Sequence, residues 1–384
     1  MEREVYIAGG EMISALGPSL AANMERILQM NSGVRLNENR ELSNEAFYCA
    51  ALEPEQLQPL FEQAGLNENY TPFEQIAIYV AEAAWKNTSV DIRSPRTAII
   101  LSTTKGNIDL LDKGQAGKYP ANRIHLWAAA DAIGKYFQNP NKVLVVSNAC
   151  VSGVLAINTA ASLIRARSYD HVLIIGADML SKFVVSGFQS FQSLSAGVCK
   201  PFDRDRDGLN LGEAAGCLIL TAEATGSIKV LGGSTHNDAN HISGPSRTAE
   251  GFYLAARSAI KASGITPAQI QYISAHGTAT PYNDEMEAIG IGRLGLEHVP
   301  VHSLKAFWGH TLGAAGVIEA LVQIESMKRG ILLPTLGCEK PGVSVDINIS
   351  RKPEQKKIRY ALKVASGFSG VNSSVVFENT EGAK

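Results

Sequence analysis

Residues 143–167 read VLVVSNACVSGVLAINTAASLIRAR, and this stretch decides the fold class. The opening VLVVS is apolar and β-branched, too short for a helix and suited to a buried strand. The polar SNA that follows breaks the run. From residue 151 the chain becomes rich in Ala and Gly and ends in arginines, as a buried helix with a cationic last turn does. The spacing predicts a strand over 143–147 and a helix over 151–167, with Cys150 in the turn between them. Gly153, Ala156 and Ala160 leave one face of that helix small enough for close packing. Helix N-termini carry free N–H groups and partial positive charge, so the turn is expected to lower the pKa of the Cys150 thiol. A core cysteine that merely follows a strand fits the local pattern equally well.

Outward from this unit the same alternation continues. Strands are predicted over 5–8, 97–102, 171–176, 215–221, 227–232, 271–275, 364–365 and 374–378. Helices are predicted over 75–86, 249–263, 284–294 and 311–329, the last closed by Lys328, Arg329 and the cap Gly330. Strands interleaved with helices imply an α/β architecture. The chain also echoes itself. VYIAGG at 5–10 resembles IKVLGG at 228–233. TAIILSTTKGN at 97–107 resembles IQYISAHGTAT at 270–280, and VLVVSNACVSG at 143–153 resembles VASGFSGVNSS at 364–374. The echoes suggest two related halves, 1–225 and 226–384. The polar stretch 37–71 reads as a surface excursion.

With 384 residues, 45% apolar and 19% charged, the composition is that of a globular protein large enough for two halves. A net charge of -2 gives no electrostatic reason to expect nucleic acid or an anionic membrane. No apolar run reaches the roughly 20 residues of a membrane helix, and MEREVYIAGG makes a poor leader and a good first strand. The five cysteines are scattered, without CxxC or zinc-ligand spacing. Free thiols and a cytoplasmic location are therefore expected, with no metal.

Three further loops carry chemistry-bearing residues. HGTATPYND, 276–284, places His276 at the C-terminal end of a strand, where open α/β sheets collect ligands. Asp284 is expected to cap the following helix, with Glu287 completing a capping-box spacing. SLKAFWGHTLGAAG, 303–316, sets Lys305 and His310 before a small-residue helix. His310 is expected at that helix N-terminus, which disfavours its protonated form, and Lys305 is expected to pair with Glu287. SGFSGVNSSVV, 366–376, is a glycine-bearing turn whose N–H groups could face an oxyanion.

Taken in order, Cys150 in SNACVSG, His276 in HGTATPYNDEMEA, Lys305 and His310 in SLKAFWGHTLGAAG, the GFSGVNSS turn and KPFDRDRDGLNLGEAAG at 200–216 resemble the β-ketoacyl-[acyl-carrier-protein] synthases. The resemblance runs from about residue 3 to residue 379. It implies a thiolase-like five-layered αβαβα fold built from two related halves. It implies decarboxylative condensation of an acyl-enzyme with a malonyl thioester, in fatty-acid or polyketide and polyene synthesis. Cys150 would be the nucleophile, His276 and His310 its partners, and the N–H groups of Cys150 and Phe368 an oxyanion hole, with Phe368 also a gate. Thr278 and Thr280 would bind the pantetheine arm, while Lys305, Glu287 and Asp284 would support the site. No bound cofactor is implied, since substrates ride on the phosphopantetheine of acyl carrier protein. That protein is the implied partner, docking on Arg204 or Arg206, beside a homodimer or a heterodimer with a related ketosynthase. The alternatives are a non-condensing chain-length-factor-like partner and a thiolase-type CoA acyltransferase. A thiolase would carry a second cysteine where this chain has Gly367-Phe368-Ser369, and a chain-length factor would lack Cys150. Trp308, Leu209-Asn210 and Ser369 depart from the usual family pattern.

Overall fold

The computed structural model describes residues 3–112, 114, 117–238, 240, 241 and 244–382. Ten strands form one sheet: β1 (Tyr6–Ser14), β2 (Thr97–Ser102), β3 (Leu144–Val146), β4 (His171–Asp178), β5 (Ala214–Thr221), β6 (Ile228–Asn237), β7 (Tyr272–Ser274), β8 (Val301–His302), β9 (Tyr360–Ser366) and β10 (Val371–Asn379). Their order is β8-β7-β9-β10-β6-β1-β5-β4-β2-β3. Counted within its own half, each set of five reads third, second, fourth, fifth, first from its outer edge. The sense of pairing repeats too. β2 runs parallel to β3 and β4, and β5 antiparallel to β4 and β1. Likewise β7 runs parallel to β8 and β9, and β10 antiparallel to β9 and β6.

Strand alternation builds the layers. On β2, β4 and β5, Ile100, Ile174 and Leu218 point to one cluster, while Leu101, Ile175 and Cys217 point to another. The first cluster holds the central layer, α2 (Ser152–Arg165) and α6 (Ala315–Arg329). The second packs on α1 (Pro72–Lys86). On β9, Ala361 and Ala365 face the centre, whereas Leu362 and Val364 face α4 (Glu250–Ala262) and α5 (Pro281–Arg293). The two five-stranded halves, joined among the described residues only at the Tyr6–Lys229 pair between β1 and β6, each cover one side of the α2–α6 pair, so helix, half-sheet, helix pair, half-sheet, helix make the five-layered thiolase-like fold. Among the described residues no helix is long and apolar enough to cross a membrane.

Two of the three sequence echoes coincide with equivalent strands, β1 with β6 and β2 with β7. The third does not. The equivalent of β3 is β8, so the Cys150 turn corresponds to the Lys305–His310 segment and not to residues 364–374. Local resemblance misled there because the 364–374 run lies on the β9–β10 hairpin. The helix expected over 311–329 starts at Ala315, after a 3-10 turn at Leu312–Ala314. Leu312 has φ +52, and the Gly313 N–H is given to Asp178 at 2.7 Å, which together delay the helix. The 37–71 stretch is more ordered than expected, holding a strand at Phe47–Ala50 and a helix at Pro54–Gln63.

The central helices cross at two glycines. A Cβ on Gly153 would lie 2.7 Å from the Gly316 Cα, and one on Gly316 would lie 2.5 Å from the Val154 N. Both obstacles are backbone, so neither can step aside. Gly153→Val is expected to destabilise the fold by about 3 kcal/mol. Chemical denaturation reads this as a lower midpoint, and an unchanged midpoint contradicts the crossing.

Candidate active site

Cys150 sits between β3 and α2, with Val151 as the N-cap residue. Ala149 adopts φ +45, and Ser152 staples the turn, accepting from the Asn148 N–H at 2.7 Å and donating to the Ala149 carbonyl at 2.6 Å. The turn thus aims the thiol out of the central layer. The expected lowering of its pKa is not what the surroundings produce. Burial pushes the thiol up to about 11, while Lys305, Lys105 and the Phe368 N–H offset only part of that and Asp178 adds to it. Desolvation of the thiolate outweighs the helix start.

His276 leaves the end of β7 into a loop fixed from both sides. Its N–H and that of Gly277 donate to the two oxygens of Glu287, at 2.7 and 2.6 Å. Its carbonyl accepts from Lys305 Nζ at 2.9 Å, and the Gly277 carbonyl accepts from Ser303 Oγ at 2.6 Å. Because both Glu287 oxygens are taken, Lys305 pairs instead with Glu319 on α6, which corrects the expected Lys305–Glu287 pair. Asp284 is not the cap. Thr280 holds that place, because Pro281 starts α5. Asp284 lies in the first turn and accepts the Phe202 and Ala279 N–H groups at 2.7 and 3.2 Å. Burial raises Glu287 to about 7 and Asp284 to about 6.

His310 explains the 200–216 segment. Its N–H donates to the Asn210 carbonyl at 2.7 Å, and its carbonyl accepts from the Gly212 N–H at 3.1 Å. A Cβ at Gly212 would sit 1.9 Å from the Trp308 carbonyl oxygen, so glycine is required there. In the same segment Arg206 donates to the Asp203, Gly342 and Pro281 carbonyls at 2.9, 2.8 and 3.0 Å. It is a structural clamp and not a free docking arginine.

The three chemical groups converge. The Cys150 sulfur and one ring nitrogen each from His276 and His310 all lie within 4.8 Å of one another. The two imidazoles stand edge to face, 5.0 Å between centroids. Burial first, then Lys305, hold both histidines well below the usual imidazole range, so both are neutral at pH 7. They floor a cleft of about 400 Å³ that Thr278, Thr280 and Phe368 also line. Thr278 and Thr280 hydroxyls lie 2.9 Å apart. Phe368 closes one side, stacked on Phe188 at 5.8 Å and met edge-on by Phe191 at 5.6 Å. A larger hollow of about 1000 Å³ runs past Leu52, Asp109 and Glu213, but it sets no thiol beside an imidazole.

Sequence reasoning did not single out Glu319, Lys363, Phe188 or Phe191. A signal existed for the first two: one carboxylate in AGVIEALVQI and one lysine in YALKVAS, each a charge inside an apolar run. The phenylalanines sit on or next to α3 (Lys182–Ser190), a helix that the sequence pattern did not reveal.

Comparison with known proteins agrees over nearly the whole chain. The sequence model of the "Beta-ketoacyl synthase, N-terminal domain" matches residues 2–225, and that of the "Beta-ketoacyl synthase, C-terminal domain" matches 228–339. A 3-oxoacyl-[acyl-carrier-protein] synthase 2 of Vibrio cholerae is 30% identical, covering 98% of this chain and 99% of its own. A chain of the complex between the ketosynthase ApeO and its chain length factor ApeC from Xenorhabdus doucetiae aligns at TM-score 0.84 and 25% identity, with 98% of each chain covered. A chain of the AntDE:AntF complex, a type II polyketide acyl-carrier protein with its ketosynthase bound to the hexaketide, shares the fold at TM-score 0.83 and 23% identity, covering 98% of this chain and 100% of that one. Matched in sequence from residue 2 to residue 339, and in fold over nearly its full length, this chain belongs to the β-ketoacyl synthase family.

Proposed function

We propose that this protein catalyses decarboxylative condensation between an acyl group on Cys150 and a malonyl thioester, both delivered on the phosphopantetheine of acyl carrier protein. The carrying observation is the sulfur and two imidazole nitrogens within 4.8 Å at the floor of one cleft. The Cys150 proton passes to a neutral imidazole as sulfur attacks the acyl thioester, and the departing pantetheine thiolate takes up a proton. Malonyl thioester then enters past Thr278 and Thr280. As its carboxylate leaves as carbon dioxide, the electron pair moves onto the thioester oxygen, where His276 and His310 N–H groups stabilise the enolate. The enolate carbon attacks the acyl-Cys150 carbonyl, whose oxygen is met by the Cys150 and Phe368 N–H groups. Collapse releases the Cys150 thiolate and a β-ketoacyl thioester two carbons longer. Glu287, Asp284 and Lys305 hold the His276 loop.

The reaction needs no resident cofactor in this reading. The same three donors also suit a soft metal ion, and acyl loading that survives a chelator separates the two. The present Cys150 argues against a non-condensing chain-length-factor role, and Ser369 in the late turn argues against a thiolase. Among the described residues β3 ends the sheet with an unpaired edge and an exposed Leu144. That edge supports a dimer of two copies of this chain, which native mass spectrometry tests, a heterodimer being the opposing outcome. Five free cysteines suit a cytoplasmic setting. Incubation with malonyl carrier protein and a panel of saturated, unsaturated and aryl primers should yield β-ketoacyl products. Absence of any product across the panel rejects condensation.

A further inference from the structure

Beneath the two histidines lies a charged cluster that the mechanism above does not use in full. Lys363 occupies the middle of β9, wholly buried, where Ala361 and Ala365 on the same face pack into the central layer. Its ammonium is surrounded by oxygen: the Glu319 carboxylate at 2.7 Å and the carbonyls of Val364, Ala275 and Ser274 at 2.8, 3.2 and 3.5 Å. Ala275 and Ser274 are the two residues immediately before His276. Glu319 is shared with Lys305, whose ammonium holds the His276 carbonyl itself. Two cations, bridged by one anion, thus donate to three consecutive carbonyls, 274, 275 and 276, where β7 ends. Glu287 holds the N–H groups of His276 and Gly277 from the other side, but the carbonyls of 274–276 are held by these two ammonium groups, and a lysine inside an apolar strand has no packing reason to be there.

We propose that Lys363 is a positioning residue for His276, a tethered cation whose ammonium fills a carbonyl-and-carboxylate cage and fixes the end of β7 from which that imidazole projects. The proposal rests on the condensation reading, because the step it governs is the one assigned to His276. Loading of Cys150 uses a turn on a different strand and depends on Lys363 far less. The cage is shaped for an ammonium, so a truncated side chain leaves a site that an added ammonium ion can occupy.

The test uses the full-length protein, acyl carrier thioesters and two separate readouts: acyl loading by intact mass, and carbon dioxide release from malonyl carrier protein. In Lys363→Ser, decarboxylation should fall about 100-fold, since an ångström of misplacement suffices for that, while loading changes by less than about threefold. Added ammonium chloride should restore decarboxylation saturably, by about tenfold or more, where sodium chloride of equal ionic strength sets the baseline. Lys363→Met fills the cage with an uncharged chain. It should show the same split without rescue, and it carries the test if the serine variant does not fold. Wild-type decarboxylation should be equal in sodium, potassium and ammonium salts. Unimpaired decarboxylation in Lys363→Met, or loading and decarboxylation lost by one common factor with no ammonium response, overturns the proposal. A wild-type protein that loads but never releases carbon dioxide rejects the condensation reading itself, a result distinct from either.

Discussion

Cys150→Ala is expected to abolish acyl-enzyme formation entirely. Intact mass after incubation with an acyl carrier thioester should show the added acyl group on the wild type and none on the variant. The other four cysteines offer no substitute. Burial pushes Cys49, Cys199 and Cys338 up to about 12 and raises Cys217 as well, and none of the four lines the cleft. Cys150 is also raised by burial, but Lys305, Lys105 and the Phe368 N–H pull it back, and two neutral imidazoles stand ready to take its proton. Reactivity here comes from the neighbours and not from a resting thiolate. A limiting dose of a small alkylating agent should therefore label one cysteine, and peptide mapping should find it at 150. Decarboxylation by Cys150→Ala should persist within about tenfold, because the histidine pair is untouched. Acyl loading that survives the substitution removes Cys150 from the mechanism.

The sequence made the chemistry legible and the supporting scaffold less so. Strands such as 97–102 were readable to the residue because buried parallel strands are short apolar runs. The convergence of Cys150, His276 and His310 was readable only through the order of their motifs, since the three stand on elements from both halves. Partners were harder. Lys305 lies nearer in sequence to Glu319 than to Glu287, yet spacing could not show that Glu287 is already committed to two backbone N–H groups. The Cys150 pKa was read with the wrong sign for a related reason. A helix start is visible in sequence, whereas the depth of burial that outweighs it is a tertiary quantity. Lys363 combines both difficulties: its strand was expected only over 364–365, so the lysine inside YALKVAS stood outside it and its cage could not be foreseen.

His310→Ala should separate the two half-reactions in the opposite sense to Cys150→Ala. Removing one of two donors to a developing enolate is expected to slow carbon dioxide release by about 100- to 1000-fold. Acyl loading should fall by no more than about tenfold, because His276 remains close enough to the sulfur to accept its proton. The backbone pairing of residue 310 with Asn210 and Gly212 does not involve the ring, so the alanine variant should keep its fold. The pH dependence of the wild type supplies an independent check. Burial and Lys305 hold both imidazoles well below the usual histidine range, so both stay neutral as pH falls through 6.5. A neutral imidazole donates one hydrogen bond without first having to lose a charge. Carbon dioxide release should therefore be flat between about pH 6 and pH 8 on that account. Burial raises Glu287 to about 7 and Asp284 to about 6, so only a rate that still halves near pH 6.5 in Glu287→Gln and in Asp284→Asn would mean the pair titrates like solvent-exposed histidine. Intact decarboxylation in His310→Ala would take the ring out of enolate stabilisation and leave His276 to perform that step alone.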